Sequence, residues 1–343
     1  MKRRIKIAVS CLCILLATAT VLGFAQALVM PKYMSVSKEG ALISEYYNET
    51  TAHDVLFVGD CEVYECFTPP TLWEKHGITS YIRGSAQQLV WQSYYLLEEM
   101  LERETPRVVV YNVYALKYGE PQREEFNRMT LDGMEWSDSK IAAIKASMTE
   151  DETFLSYVFP LLRFHSRWDE LGSEDFTYLF DRDIISHNGY LMQTDVLPKT
   201  VDIPPEYLKN ATLPQTSMDY LEKMRQLCAE RGVELVLIKA PTNHWKYYWY
   251  DEWDAQVNAY AQEHGLAYYN FIPMADEIGI DWSSDTYDRG GHLNVYGAEK
   301  LTDYFGAILK ENHGVASRRG DGALEAVWSE KVTSYFNERN KQK

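Results

Sequence analysis

A cysteine and a histidine stand far apart in the sequence, in settings that suit a nucleophile and its base. Cys61 follows a short apolar run and a Gly-Asp pair in "DVLFVGDCEVYECF", and His292 lies in the glycine-containing loop "YDRGGHLN". A base must be oriented by a third group, usually a carboxylate. Asp288, four residues before His292, is the best-placed carboxylate. We therefore predict that Cys61, His292 and Asp288 form one site.

Cys61 also has inert interpretations. Free cysteines are among the most buried residue types, so this thiol could serve packing alone. A Cys61–Cys66 disulfide would cap it. Three cysteines lie after residue 30, namely Cys61, Cys66 and Cys228. Because this number is odd, at least one is free or paired with another chain. In the active interpretation, a nearby imidazolium or helix N-terminus lowers the thiol pKa well below about 8.5.

Alternating strand and helix patterns must position these residues. Short apolar runs predict strands at 54–59, 79–84, 107–116, 233–241 and 266–271, and amphipathic spacing predicts helices at 86–104, 217–232, 252–265 and 296–312. This order predicts an α/β fold with a doubly wound parallel sheet. Ligands bind such sheets at the carboxyl ends of the strands. Cys61, Gly84 and Asn112 all fall at or near such ends.

The pattern breaks between about 117 and 212, where charged helical pieces precede a turn-rich stretch. We interpret this region as an insertion packed over the sheet edge, in the position of a lid. The main domain is expected to span residues 53–315. The tail, 316–343, has the composition of a helix.

The first residues predict a membrane anchor. Residues 1–6 hold four basic side chains, and 7–30 carry no charge. A spanning helix needs roughly 20 apolar residues, and positive charge before it places the N-terminus in the cytoplasm. A cleaved signal peptide is the alternative, because Ala25-Gln26-Ala27 resembles a cleavage site. In either case, the connector 31–52 and the domain after it are expected to be extracytoplasmic, and in the first case the protein is a single-pass protein of the cell membrane.

Charge and composition exclude several classes of function. The chain carries a net charge of −16, and because its first 30 residues contribute +4 without an acid, the remainder carries −20. Such a domain is unsuited to nucleic acid or anionic lipid, and the charge also serves solubility. No H-E-x-x-H or C-x-x-C spacing and no glycine-rich phosphate loop occurs. We therefore predict no metal and no cofactor.

Aromatic residues near two other histidines are weaker candidates for substrate binding. His244 and Trp245 begin the cluster "HWKYYWYDEW", and His165 lies in "RFHSRW". Aromatic faces stack on sugar rings, which suits a glycan. The same residues could equally pack the insertion or face the membrane interface.

Two sequence blocks resemble the SGNH (GDSL-like) hydrolase superfamily. "LFVGDCEVYECFTP" and "YDRGGHLNVYGAEKL" are similar to its first and last blocks. The resemblance places Cys61 where the family has serine, His292 at the family histidine, and Asp288 nearest the family aspartate, although four residues rather than three separate the last two. It also implies that Gly84 in "IRGSAQQ" and Asn112 are oxyanion donors. The exchange of serine for cysteine and the longer spacing argue against ordinary ester hydrolysis.

A stretch in the middle of the chain resembles one particular branch of this superfamily. "FPLLRFHSRWDEL" resembles the insertion of a membrane-anchored Gram-positive branch, which is similar to the D-alanyl transfer protein of teichoic-acid operons and to polysaccharide O-acetylation proteins. This resemblance implies an acyltransferase that acts beside a membrane-bound O-acyltransferase on a glycan or polyol acceptor. Two alternatives are an inactive scaffold that binds glycan or that partner, and a secreted esterase.

Overall fold

Five short apolar segments form one parallel sheet. The computed structural model describes residues 2–31, 41–182, 184–200, 207–244 and 248–341. Almost every residue of the first four strands is buried, as expected for a sheet covered on both faces. The strands are β1 (Val55–Gly59), β2 (Ser80–Gly84), β3 (Val108–Asn112), β4 (Glu234–Lys239) and β5 (Ala267–Asn270).

The strand order is β2-β1-β3-β4-β5, with every neighbouring pair parallel. This is the flavodoxin-like order, whose direction reverses between β1 and β3. The predicted α/β fold with a doubly wound parallel sheet is therefore confirmed. Each predicted strand contains an observed one, with ends that differ by at most four residues.

Helices cover both faces of the sheet. One face packs against α3 (Cys61–Tyr64), α4 (Pro69–His76), α13 (Ala275–Ile278) and α14 (Val295–His313). The other face packs against α5 (Val90–Arg103), α11 (Gln215–Glu230) and α12 (Asp251–His264). Side chains alternate between the two cores along β1, with Phe57 in the first and Leu56 and Val58 in the second.

Five helices lie within the predicted insertion. They are α6 (Glu124–Leu131), α7 (Asp138–Ser147), α8 (Phe154–Val158), α9 (Leu161–Phe164) and α10 (Ser173–Tyr178). The insertion also contains a 3₁₀ helix at His165–Glu170, and two further 3₁₀ helices lie before it, at Tyr46–Asn48 and Val113–Lys117. The first part of the insertion packs α7 against α5, and α6 contacts the short helix α2 (Ala41–Glu45). The insertion is thus attached to the helical layers rather than to a strand edge alone.

The last part of the insertion, 186–197, begins beside the edge strand β2, where the N–H of Ile82 donates to the carbonyl of Asn188 at 3.0 Å, and then passes between α3 and the loop before α14. The backbone N–H of Leu191 donates to the carbonyl of Tyr64 at 2.9 Å. Further along, the N–H of Leu197 donates to the carbonyl of Thr286 at 2.9 Å, and that of Arg289 donates to the carbonyl of Leu197 at 2.8 Å. This segment therefore joins the end of α3 to the loop before α14.

One helix is long and apolar enough to cross a membrane, judged by length and composition. It is α1 (Lys2–Val29), with a mean hydropathy of 2.4 over its most apolar window, and none of that window is buried in the protein. Signal sequences have the same properties. Only its last turn is covered: Leu28 and Val29 are buried, and the Arg167 guanidinium donates to the carbonyl of Val29 at 2.8 Å.

The tail forms a second peripheral helix, α15 (Gly322–Lys341), which packs on α4. Its contact centres on Trp328, which is fully buried and stacks on Trp73 with ring centroids 5.5 Å apart. Because a large aromatic pair is buried here, the tail is part of the fold.

We expect Trp328→Ala to lower the free energy of unfolding by about 3–5 kcal/mol, because it removes a fully buried ring and leaves a cavity. Urea titration of the full chain in detergent, followed by far-ultraviolet circular dichroism, measures the change. Trp136→Ala is the matched control, since Trp136 is 54% exposed and its loss should cost less than about 1 kcal/mol. Equal losses in both variants would contradict this account of α15.

Candidate functional site

The turn that carries Cys61, which we call the nucleophile turn after its predicted role, joins β1 directly to α3. Gly59 has φ 155°, and a Cβ there would lie 2.5 Å from the Cγ2 of Val63, so a side chain at this position would clash. Asp60 is the N-cap of α3, and its carboxylate accepts from the N–H of Glu62 at 3.2 Å. This turn places Cys61 as the first residue of α3, with a partly exposed side chain.

The loop before α14 is fixed at both ends. Asn294 caps α14 by accepting from the N–H groups of Tyr296 and Gly297, and its side-chain amide donates to the carbonyl of Ser284 at 2.8 Å. Gly290 has φ 93°, and its carbonyl accepts from the N–H of Asn243 at 2.7 Å. These contacts hold His292, which is 3% exposed, at the carboxyl edge of the sheet.

The structure brings the three predicted residues into contact. Nε2 of His292 lies 3.1 Å from Sγ of Cys61, and Nδ1 lies 2.7 Å from Oδ2 of Asp288. The backbone N–H of His292 also donates to Oδ1 of Asp288 at 2.8 Å, which accommodates the four-residue spacing. With Nδ1 donating to a carboxylate, Nε2 faces the sulfur. The contacts are observed, whereas the catalytic roles stay predictions.

A second carboxylate faces the same imidazole. Oε2 of Glu65 lies 3.3 Å from Nδ1 of His292, and it accepts from the hydroxyl of Tyr287 at 2.7 Å. The Tyr287 ring stacks on His292, with centroids 6.1 Å apart. Our sequence analysis missed both residues. The available signal was an acidic residue one helical turn after Cys61.

Burial and neighbouring charges shift the pKa values of His292 and Cys61. Burial by itself lowers the pKa of His292, but the charge of Glu65 and the hydrogen bond to Asp288 hold it well above the usual histidine range. Burial raises the pKa of the Cys61 thiol to about 12, although the charge of His292 opposes this shift. The resting pair at neutral pH is therefore a neutral thiol beside an imidazolium, and burial outweighs the pKa lowering considered from the sequence.

A buried polar cluster lies under the nucleophile turn. The ammonium of Lys239 donates to both carboxylate oxygens of Glu62, at 2.8 and 2.7 Å, and neither side chain is exposed. Asn112 donates to Oδ1 of Asp60 at 3.1 Å and to Oε2 of Glu62 at 3.0 Å. Burial and the charge of Glu62 raise the pKa of Asp60 to about 7. The cluster ties the turn to β3 and β4.

The two predicted oxyanion donors have structural contacts of their own. Gly84 pairs with Gly59, and a Cβ on Gly84 would lie 2.8 Å from the Gly59 carbonyl oxygen, so this close approach requires glycine. The amide of Asn112 already donates to two carboxylates, and its oxygen accepts from the N–H of Ala240 at 3.1 Å. For Asn112 to serve an oxyanion, one of these bonds must be released. Both roles stay predictions.

The predicted substrate-binding residues lie in different places. His244 is half-buried and follows Thr242, whose hydroxyl donates to the carbonyl of Gly290 at 3.1 Å, next to the His292 loop. Trp245 lies outside the described residues. His165 is exposed on the 3₁₀ helix at 165–170, which contacts α1. Their binding roles also stay predictions.

Further features bear on the chemistry available here. Cys61 and Cys66 are free thiols, so the structure does not contain the disulfide considered above. Lys117, which the sequence analysis did not single out, stacks its ammonium 3.5 Å from the Tyr114 ring centre, and burial lowers its pKa to about 8. Among the described residues, no group of three His, Cys, Asp or Glu side chains forms a candidate metal site.

Comparisons with known proteins give limited information. No protein-family model matches the sequence, and no curated protein matches it significantly. One similar solved structure is the crystal structure of a "putative acylhydrolase" from Bacteroides fragilis. The two chains are 12% identical with a TM-score of 0.39, over 79% of this chain and 95% of that one.

We expect Glu65→Gln to shift the alkylation of Cys61 to lower pH, by about one unit. The carboxylate of Glu65 stabilises the imidazolium of His292 and destabilises the thiolate of Cys61, so it raises both pKa values. A neutral Gln removes this effect but still accepts the hydrogen bond from Tyr287. The rate of iodoacetamide modification of the Cys61 peptide, measured by mass spectrometry across pH, gives the midpoint. Glu102→Gln on the exposed side of α5 is the control. A midpoint that stays or rises in Glu65→Gln would refute this electrostatic account.

We expect Lys239→Met to lower the free energy of unfolding by about 3–5 kcal/mol, because it leaves Glu62 buried and charged without its cation. In the double variant Glu62→Gln/Lys239→Met no unpaired charge remains, so at least half of the loss should be recovered. Urea titration of both variants provides the comparison. If the double variant is no more stable than the single one, the pair does not act as described.

Proposed function

We propose that this protein is a membrane-anchored, extracytoplasmic acyltransferase of the SGNH type. It passes a small acyl group to a hydroxyl of a cell-wall or exported polysaccharide, such as teichoic acid. In this proposal, Cys61 is the nucleophile, His292 is the general base and acid, and Asp288 orients the imidazole.

The contacts between these side chains are the observation that carries the proposal. Sγ of Cys61, the two ring nitrogens of His292 and the carboxylate of Asp288 are joined by distances of 3.1 and 2.7 Å. They lie where β1 ends, beside the point at which the strand order reverses, which is where ligands bind in sheets of this kind. A nucleophile, a base and an orienting carboxylate in this arrangement suit acyl transfer.

The proposed first step forms a thioester. His292, after losing its resting proton, accepts the thiol proton at Nε2 as Sγ attacks the acyl carbonyl of an ester donor. A carbon–sulfur bond forms, the bond between the carbonyl carbon and the donor oxygen breaks, and Nε2 returns the proton to the departing oxygen. Because the imidazolium must first lose a proton, the rate should rise with pH.

The second step reverses the roles of the two partners. A hydroxyl of the acceptor gives its proton to Nε2 and attacks the thioester carbonyl. The carbon–sulfur bond then breaks, and the sulfur recovers the proton from Nε2. Transfer to the acceptor in place of hydrolysis requires that water be excluded, a role we assign to the insertion in its predicted position as a lid.

The setting of the reaction follows from the N-terminal helix and the family resemblance. Helix α1 has the length and composition to anchor the domain outside the membrane. By resemblance, the acyl donor is supplied by a membrane-bound O-acyltransferase, and the acceptor is a glycan or another polyol. No cofactor takes part in the proposed steps.

One observation favours a second candidate function. Burial disfavours the thiolate of Cys61 and raises the pKa of the thiol, which suits a non-catalytic scaffold that binds glycan or the acyltransferase partner. A secreted esterase is the third candidate, and it differs from the first in giving the acyl group to water.

Trapping of the thioester tests the proposal. We expect the full chain in detergent, treated with p-nitrophenyl acetate, to gain an acetyl group on the Cys61 peptide that neutral hydroxylamine removes. Labelling should increase with pH, and His292→Ala should lower it at least about tenfold. Cys66→Ala is the matched control and should label normally. If Cys61 reacts with iodoacetamide at alkaline pH but never gains the acetyl group, the scaffold is favoured.

The fate of the trapped acyl group separates transferase from esterase. Addition of a polyol to the acetylated protein should produce an acetylated polyol faster than free acetate, as quantified by mass spectrometry. A product that is acetate alone, at any polyol concentration, would favour the esterase.

A further inference from the structure

Exposed apolar side chains are concentrated in one part of the insertion. Twelve large apolar side chains outside α1 are exposed in the described part of the chain, and six of them fall within residues 155–180. Their exposed fractions range from 46% to 82%. We call this set the exit surface; it comprises Leu155, Phe159, Leu162, Trp168, Phe176 and Phe180. Exposed apolar patches are a feature of interaction sites.

Part of the exit surface lies on the helices that contact α1. Helix α1 contacts α9, the 3₁₀ helix at 165–170 and α10. Each of these three helices carries one exposed member of the set, namely Leu162, Trp168 and Phe176. The Arg167 guanidinium, which donates to the carbonyl of Val29, fixes the junction. Three of the six apolar groups therefore lie on helices that contact the candidate membrane span.

The length of α1 places this junction at the membrane surface. The uncharged segment 7–30 would be about 36 Å long as a helix, slightly longer than the roughly 30 Å hydrocarbon core of a bilayer. Its last turn, which includes the buried Leu28 and Val29, therefore lies at the boundary between acyl chains and head groups. Aromatic side chains such as Trp168 are enriched at this depth.

We propose that the exit surface inserts into the interfacial layer of the lipid bilayer, so that the insertion rests on the membrane beside α1. The proposal depends on α1 remaining in the membrane. Short helices with exposed aromatic and aliphatic groups bind the boundary between head groups and acyl chains through apolar burial. Residues 155–182 hold three arginines and five carboxylates, so the contact does not depend on anionic lipid.

This placement gives the insertion a defined orientation. Its middle part, 155–180, rests on the bilayer, and its last part, 186–197, is hydrogen-bonded to Tyr64 and Thr286 on the two sides of the candidate site. The site is thereby held at a fixed height above the membrane, within reach of a donor that emerges from it.

Photo-crosslinking to lipid tests the proposal. The full chain is reconstituted in phosphatidylcholine nanodiscs that contain a phosphatidylcholine with a diazirine in its acyl chain, and labelled peptides are identified by mass spectrometry. We expect label on α1 and on peptides within 155–180, at least about tenfold above α12, which packs on the opposite edge strand β5. Added phosphatidylglycerol should change this label less than about twofold.

Variants distinguish insertion from incidental proximity. Trp168→Ser/Phe180→Ser should lower the label on 155–180 at least about tenfold and leave that on α1 unchanged. Tyr248→Ser, on an exposed ring just before α12, is the matched control. Label on α1 but not on 155–180 overturns the inference and leaves the anchor intact, whereas label on neither contradicts both. If residues 155–180 are protected from protease in native membranes but not in nanodiscs, the inference is overturned in favour of a membrane protein partner.

Discussion

The buried ion pair between Lys239 and Glu62 is the constraint on which the arrangement at the carboxyl edge depends. Neither charge reaches water, so each requires the other and the hydrogen bonds of Asn112 around them. Lys239 is the last residue of β4, Glu62 lies in α3, and Asn112 is the last residue of β3. The nucleophile turn is therefore held against the two central strands by groups that are costly to separate, and the position of Cys61 follows from that attachment.

His292 is subject to two opposing demands. Its contact with Sγ suits it to accept a proton, but Asp288 and Glu65 both stabilise the form that already carries one. A serine hydroxyl in place of the thiol would face the same imidazolium. The second carboxylate is thus a feature of the histidine environment, independent of which nucleophile stands opposite, and it tunes the pH at which the pair becomes reactive.

Much of the fold and part of the candidate site could be predicted from the sequence. Apolar runs identified all five strands, and parallel strands necessarily bring Cys61 and Asn112 to one edge. The contacts of Glu65 and Lys239 could not be predicted, because a charged residue in a sequence pattern is ordinarily assigned to the surface. The same limit applies to the Asn112 amide, whose partners are two buried carboxylates that only the folded chain brings to it.

Cys61 and His292 meet only when distant parts of the sequence have folded together. Cys61 and His292 are 231 positions apart, and the strands β3 and β4, with the whole insertion between them, must be in place before the two side chains meet. Closing so long a loop is slow, because its entropy is lost before the contact forms. An unfolded chain therefore holds an ordinary, separate thiol and imidazole, and the pair forms only when the sheet between them is complete.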